Sequence, residues 1–173
     1  MANNPDPWVS RFLPLIPPGG RILDLACGSG RHGRAGLAAG HPVTLVDRSL
    51  EAVDDLADRA ELIAADLEAQ PWPLGERRFA AVIVVNYLWR PLLPAIRAAV
   101  APHGLLIYST FGRGQERLGR PRNPDFLLRP GELLAEVAVG FRVLGYELLG
   151  PEAGGDSIRQ SICARRLPAD VAT

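Results

Sequence analysis

The residues best placed to do chemistry lie in Arg21 to Gly36, RILDLACGSGRHGRAG. Ile22, Leu23 and Leu25 read as a buried strand, Gly28 and Gly30 as a turn, and the residues from Arg31 as a helix. Glycine lets the backbone take positive φ and lets a ligand approach the main chain. The helix start turns free N–H groups toward that ligand. A nucleotide-like ligand is therefore expected at the end of the first strand. Gly28-Ser29-Gly30-Arg31-His32-Gly33 also fits the GxGxxG dinucleotide fingerprint. Asp24, four positions before Gly28, speaks against a phosphate. A carboxylate close to a pyrophosphate is repelled by roughly 1 to 4 kcal/mol per close pair in partly screened surroundings. A ligand with cationic centres and no phosphate would instead be welcome. The plainer alternative is that Asp24 caps a neighbouring helix and the glycines only turn the chain.

The elements around this stretch must position it. PWVSRFLPLI, 7–16, spaces Trp8, Phe12 and Ile16 as a short amphipathic helix, ended by Pro17-Pro18-Gly19-Gly20. The first strand is expected over 21–27 and the next helix over 31–39, closed by Gly40. A strand over 42–47 ends in Asp47, and Ser49 or Asp47 can cap a helix over 49–58. A third strand over 60–66 ends in Asp66, and Pro71 and Pro73 forbid a long helix after it. FAAVIVVN, 79–86, is the most apolar strand; a helix over 91–101 follows, ended by Pro102-His103-Gly104. LLIYSTF, 105–111, is a fifth strand. Continuous apolar strands separated by helices make a parallel sheet covered on both faces. Ligands on such sheets sit outside the carboxyl ends of the strands. After a long connection, 112–129, come a helix over 130–139 and strands over 141–149 and 159–166. Their short link suits an antiparallel hairpin. The tail after Pro168 is expected to fray.

LDLACGSGRHG resembles the first motif of the class I S-adenosylmethionine-dependent methyltransferases. S-adenosyl-L-methionine carries an ammonium, a sulfonium and no phosphate, the charge pattern that suits Asp24. The resemblance covers roughly residues 20–166. It implies an α/β fold, a Rossmann-like doubly wound sheet of seven strands in the order 3-2-1-4-5-7-6 with strand 7 antiparallel. It implies that Asp24 and the backbone of Ala26, Gly28 and Gly30 hold the methionine end. Asp47, 19 residues after Gly28, can accept hydrogen bonds from ribose hydroxyls. Capping the next helix is its other role. In the family the position of Asp66, with the amide of Leu67, meets adenine; Arg48 lines that pocket or is only solvated. Asn86 contacts the cofactor through its backbone. Asn86-Tyr87-Leu88 departs from the Asn-Pro-Pro-Tyr of amino-methyltransferases acting on nucleobases, which puts that activity in doubt. NPDFLLRPGELL resembles a stretch of small tellurite-resistance-type bacterial methyltransferases.

Composition narrows the partners. A chain of 173 residues is expected to be one domain, with its core over about 20–166. Net charge is zero, so no basic field recruits nucleic acid. All 19 basic residues are arginine, which reads as codon bias in a GC-rich bacterial genome. Cys27 and Cys163 make no disulfide framework, and no metal spacing appears. MANNPDPW has neither the basic nor the apolar region of a signal peptide, and no apolar run reaches membrane length. A cytoplasmic protein is expected.

Methyl transfer from a sulfonium is an in-line displacement of an activated group, helped mostly by positioning and desolvation. Candidates for proton removal are Tyr87, His32 and Tyr108, and no spacing marks an acid–base pair. Cys27 reads as a packing residue. Tyr87 and Trp89 either wall an acceptor pocket or pack in the core. The 112–129 connection holds five arginines and two acids. It is either a lid that attracts an anionic acceptor or a solvated loop. The leading reading is methyl transfer to a small-molecule acceptor. An NAD-binding oxidoreductase, or a non-catalytic cofactor-binding or interaction module, are the alternatives. The residues do not fix an oligomeric state.

Overall fold

A computed structural model describes residues 4–169. The sheet has seven strands in the order β3-β2-β1-β4-β5-β7-β6. The strands are β1 (Ile22–Leu25), β2 (Val43–Asp47), β3 (Glu61–Ala64), β4 (Phe79–Val85), β5 (Val100–Phe111), β6 (Phe141–Leu149) and β7 (Arg159–Arg166). The first five run parallel, and β7 lies antiparallel between β5 and β6. This is the order and hand the resemblance implies. Four short helices flank the sheet: α1 (Pro7–Phe12), α2 (Arg31–Ala38), α3 (Leu93–Ala98) and α4 (Glu132–Glu136).

Both faces of the sheet are apolar, so two cores form. One packs Trp8, Phe12 and Ile16 with Ile22, Val43, Ile83 and Ile107. The other packs Leu23, Val82 and Leu106 with Leu93, Ile96 and Leu133. Alternate residues of β1 and β4 feed opposite cores, as the strand period requires. The central strands β1 and β2 are buried almost throughout, while edge strand β3 is half exposed. Asp6 caps α1 by accepting the Trp8 amide at 2.8 Å, with Pro7 in the first turn.

Several boundaries depart from the sequence expectation. The segment after Asp47 is a 3-10 helix over Glu51–Leu56, and no side chain caps it. Helix α3 stops at Ala98 rather than reaching 101, and the chain is already extended at Val100. Pro102-His103-Gly104 is a bend inside β5, not a helix terminator. A Cβ on Gly104 would lie 2.8 Å from the Ala101 carbonyl oxygen and 2.9 Å from that of Phe79. Only glycine permits that approach of backbone to backbone. Strands β1 and β3 end at Leu25 and Ala64, each two residues short of expectation, because the chain turns there toward the ligand edge. Residues 170–173 of the expected frayed tail lie outside the described residues.

The 112–129 connection is tied down at many points. Gly112 bridges Leu128, and the buried Gln115 accepts from the Ile158 amide at 2.8 Å and donates to the Arg120 carbonyl at 3.1 Å. Arg90 donates to the carbonyls of Asp125 at 2.6 Å and Leu127 at 2.9 Å. The same guanidinium holds Glu132 of α4 bidentately, at 2.7 and 2.9 Å. Glu132 also accepts the Arg129 amide at 2.7 Å. One arginine thus joins the start of α3, the connection and α4.

Candidate functional site

The site lies where the parallel strands end. Chain reversal after β1 needs a tight turn, and Gly28 and Gly30 both take positive φ, 52° and 68°. At Gly30 a Cβ would stand 2.5 Å from Val53 Cγ1, so space as well as φ demands glycine. The turn places its amides against carboxylates. Asp47 at the end of β2 accepts the Gly28 amide at 2.8 Å and the Ser49 amide at 3.2 Å. Asp24 is 1% exposed beneath the turn and accepts the Gly33 amide at 2.8 Å. The Gly30 amide goes to the Cys27 carbonyl at 2.8 Å. The amides of Gly28, Gly30 and Gly33 thus already have partners, two of them carboxylates.

A cleft of about 670 Å³ opens beside this turn. Ala26, Asp47, Arg48, Asp66, Leu67, Asn86 and Tyr87, all singled out from the sequence, line it together. Glu68 and Trp89 join them. Asp66 turns its carboxylate onto the amides of Glu68 and Ala69, at 3.0 and 3.2 Å. Ala26 and Asn86 end adjacent strands β1 and β4 and both hold left-handed backbone, φ 53° and 58°. Such strain in residues other than glycine clusters at ligand sites. Gly28, Gly30 and Asp24 frame the turn behind the cleft and are not among its lining residues. The helix-capping alternative raised for Asp24 is the contact its carboxylate makes with α2. For Asp47 the helix-capping alternative is not observed, since it serves the glycine turn and the Ser49 amide instead.

A smaller cavity of about 220 Å³ continues from the cleft through Glu68, Asn86 and Tyr87. Leu88, Thr110, Phe111, Pro121 and Phe126 complete its walls. A third hollow of about 600 Å³ shares Phe111, Pro121 and Phe126 and adds Arg120, Arg122 and Asn123. The tethered connection therefore contributes an aromatic wall and two exposed arginines at the outer mouth.

None of the three proton-removal candidates is poised as a base. Tyr108 is 1% exposed in the core and donates to the Tyr87 carbonyl at 2.8 Å, and burial pushes its pKa far up. His32 is buried in α2 with its Nδ1 3.8 Å from Asp24, away from the cavities. Tyr87 does reach the cleft. Burial, then the charges of Glu68, Asp66 and Asp47, raise its pKa well above 10. Its buried hydroxyl has no hydrogen-bond partner among the described residues. Cys27 is held as a thiol, pushed up to about 12 by burial and then by Asp24 and Asp47.

The residues fit an adenosyl sulfonium ligand. The cleft offers carboxylates to hydroxyls and cationic groups, and an unpartnered phenol. Residues 22–104 match the family model described as "Methyltransferase domain". Over those residues, a little under half of the chain, the sequence is similar to methyltransferase domains. No curated protein matches it in sequence. Solved structures share the fold. TehB from Haemophilus influenzae aligns with TM-score 0.72 at 17% identity, over 91% of this chain and 61% of that one. The 1,6-didemethyltoxoflavin-N1-methyltransferase of Burkholderia thailandensis, solved with its substrate and S-adenosylhomocysteine, aligns with TM-score 0.69 at 21% identity, over 94% and 77%. An S-adenosylmethionine-dependent methyltransferase from Mesorhizobium loti aligns with TM-score 0.71 at 19% identity, over 92% and 96%. The chain thus spans 61% of the TehB chain's length. Among the described residues no helix is long and apolar enough to cross a membrane.

Sequence reasoning missed Glu68, Phe111 and Phe126, which line the cavities, and Arg159, which the fold brings beside Phe111. A signal existed for the last. In this topology β7 runs antiparallel, so its first residue, Arg159, must lie at the ligand edge.

Proposed function

We propose that this chain, as a single domain, transfers the methyl group of S-adenosyl-L-methionine to a small-molecule acceptor. The observation that carries the reading is the glycine turn whose Gly28 and Gly33 amides are held by Asp47 and Asp24. That arrangement disfavours a dinucleotide and favours a ligand without phosphate. Bound there, the cofactor supplies a methyl group on a sulfonium, open to in-line displacement.

The chain's own residues would then act by placement. Asp47 accepts from the ribose hydroxyls with the face it now turns to the Gly28 amide. Asp66, Leu67 and the stem of Arg48 line the adenine end. Gly28, Gly30 and the backbone of Ala26 and Asn86 hold the methionine end, with Asp24 fixing the turn from below. Tyr87 stands between the two cavities and orients groups at the reacting centre through a neutral hydroxyl. The acceptor occupies the 220 Å³ cavity against Leu88, Phe111 and Phe126. A cavity of that size suits a small molecule or one projecting group of a larger one. Arg120 and Arg122 at the outer mouth suit an acceptor with an anionic group. With no poised base, the acceptor atom is one that reacts without strong proton removal, and water exclusion supplies part of the rate. Two free, buried thiols support a cytoplasmic location.

Transfer of a labelled methyl group from the cofactor to small phenols, thiols and aromatic amines, each with and without a carboxylate, tests the proposal. Label should pass to carboxylate-bearing compounds first, and Asp47→Ala should abolish transfer. Label passing to none of them, with cofactor bound, would favour the non-catalytic reading.

A further inference from the structure

Arg159 opens β7 beside Phe111, the last residue of β5. Its Nη2 donates to the Asn86 side-chain oxygen at 2.7 Å and to the Ser109 hydroxyl at 3.2 Å. Its guanidinium stacks over the Phe111 ring at 4.5 Å from the centroid. Three well-formed ion pairs elsewhere, Arg34–Asp55, Arg77–Glu61 and Arg90–Glu132, close at 2.6, 2.6 and 2.7 Å. Arg159 is more buried than any of those arginines, at 14% exposure, yet its carboxylate, Asp6, stands off at 3.8 Å. Arg31, the first residue of α2, adds a second positive charge to its field. Arg159 thus has one distant carboxylate, Asp6, and a second cation, Arg31, in its field.

A buried guanidinium is costly without a close anion. Its planar fork suits a carboxylate held through two parallel hydrogen bonds. The acids of the cleft, Asp47 and Asp66, follow β2 and β3, at the other end of the sheet edge. The cofactor's one anionic group would be repelled there and drawn toward Asn86 and Arg159. We infer that Arg159, fixed by Asn86 and stacked on Phe111, binds the carboxylate of the methionine moiety. This rests on the cofactor assignment above. It gives Asn86 a side-chain task beyond its backbone: aiming the guanidinium. It also joins the methionine end to Phe111, the shared wall of the acceptor cavities.

The test is calorimetric titration of S-adenosylhomocysteine and of 5′-methylthioadenosine, which keeps the adenosine and thioether but lacks the amino-acid end. Wild type, Arg159→Met and Arg159→Lys are compared. Losing one charge-assisted contact should weaken S-adenosylhomocysteine about tenfold to a hundredfold in Arg159→Met. Methylthioadenosine should bind all three proteins alike, which also reports that the cleft is folded. Arg159→Lys keeps the charge without the fork, so a smaller loss of the same selectivity is expected and decides the matter if the methionine variant does not fold. Equal loss for both ligands, or loss for neither, would overturn the inference. Wild-type protein that binds neither ligand would instead overturn the cofactor assignment.

Discussion

Removing Arg90 should both destabilise the protein and loosen the acceptor cavity. Its side chain is 26% exposed, that of Glu132 11%, and they share two short hydrogen bonds. Two further bonds go to the carbonyls of Asp125 and Leu127. Arg90→Met would leave Glu132 charged, largely buried and held only by the Arg129 amide. Stripping one partner from a buried pair costs about 3 to 5 kcal/mol. Some water reaches both groups here, so the lower figure, ~3 kcal/mol, applies. For a domain of this size that is a fall in Tm of roughly 6 to 12 °C. The pH dependence has a definite sign. Burial would raise the Glu132 pKa, but its hydrogen bonds from Arg90 and the Arg129 amide hold it below the ordinary 4.5. A depressed carboxylate stabilises the fold above its unfolded value, and that contribution is lost as pH falls through its folded value. The gap between wild type and Arg90→Met should therefore be full at neutral pH and close below pH 4.5. Urea denaturation across that range measures it. The double variant with Glu132→Gln should be more stable than Arg90→Met alone, because the stranded charge is gone. A loss under about 1 kcal/mol, or strictly additive variants, would refute the reasoning.

Other consequences can be checked separately. Gly30→Ala should lose about 2 to 3 kcal/mol, since the new methyl meets Val53 and the left-handed backbone resists it; thermal denaturation reads this. Tyr87→Phe removes a buried hydroxyl without a partner, so stability should hold or rise slightly, and transfer rates should fall by less than about tenfold because no proton moves through it. Neither Cys27 nor Cys163 should react with Ellman's reagent at neutral pH in the folded protein, since burial first of all pushes both thiols up to about 12; unfolding in urea should release both.

The sheet was legible because its signals are local. Apolar runs such as FAAVIVV, the acid closing β2 and the acid just beyond β3 mark strand ends without help from the rest of the chain. The cleft residues followed, because a doubly wound sheet gathers its strand ends at one edge. What could not be read is what distant residues decide. Gly104 ends a helix in isolation, but Val100 pairs with Phe79 of β4, and residues 100–104 join β5 instead. Arg90 looked like any surface arginine until the fold brought Asp125, Leu127 and Glu132 to it from 35 to 42 residues away. For Asp24 the sequence left two roles open, ligand contact and helix capping, and its hold on the Gly33 amide depends on how α2 packs.

The central claim, that the Asp47 cleft binds an adenosyl sulfur ligand rather than a dinucleotide, is tested most directly by calorimetry. S-adenosylmethionine, S-adenosylhomocysteine and NAD would each be titrated into wild type and Asp47→Ala. The account predicts micromolar binding of the two adenosyl sulfur ligands to wild type, weakened at least about tenfold by the substitution, and no binding of NAD. Binding of NAD alone, with Asp47→Ala indifferent to the sulfur ligands, would contradict it.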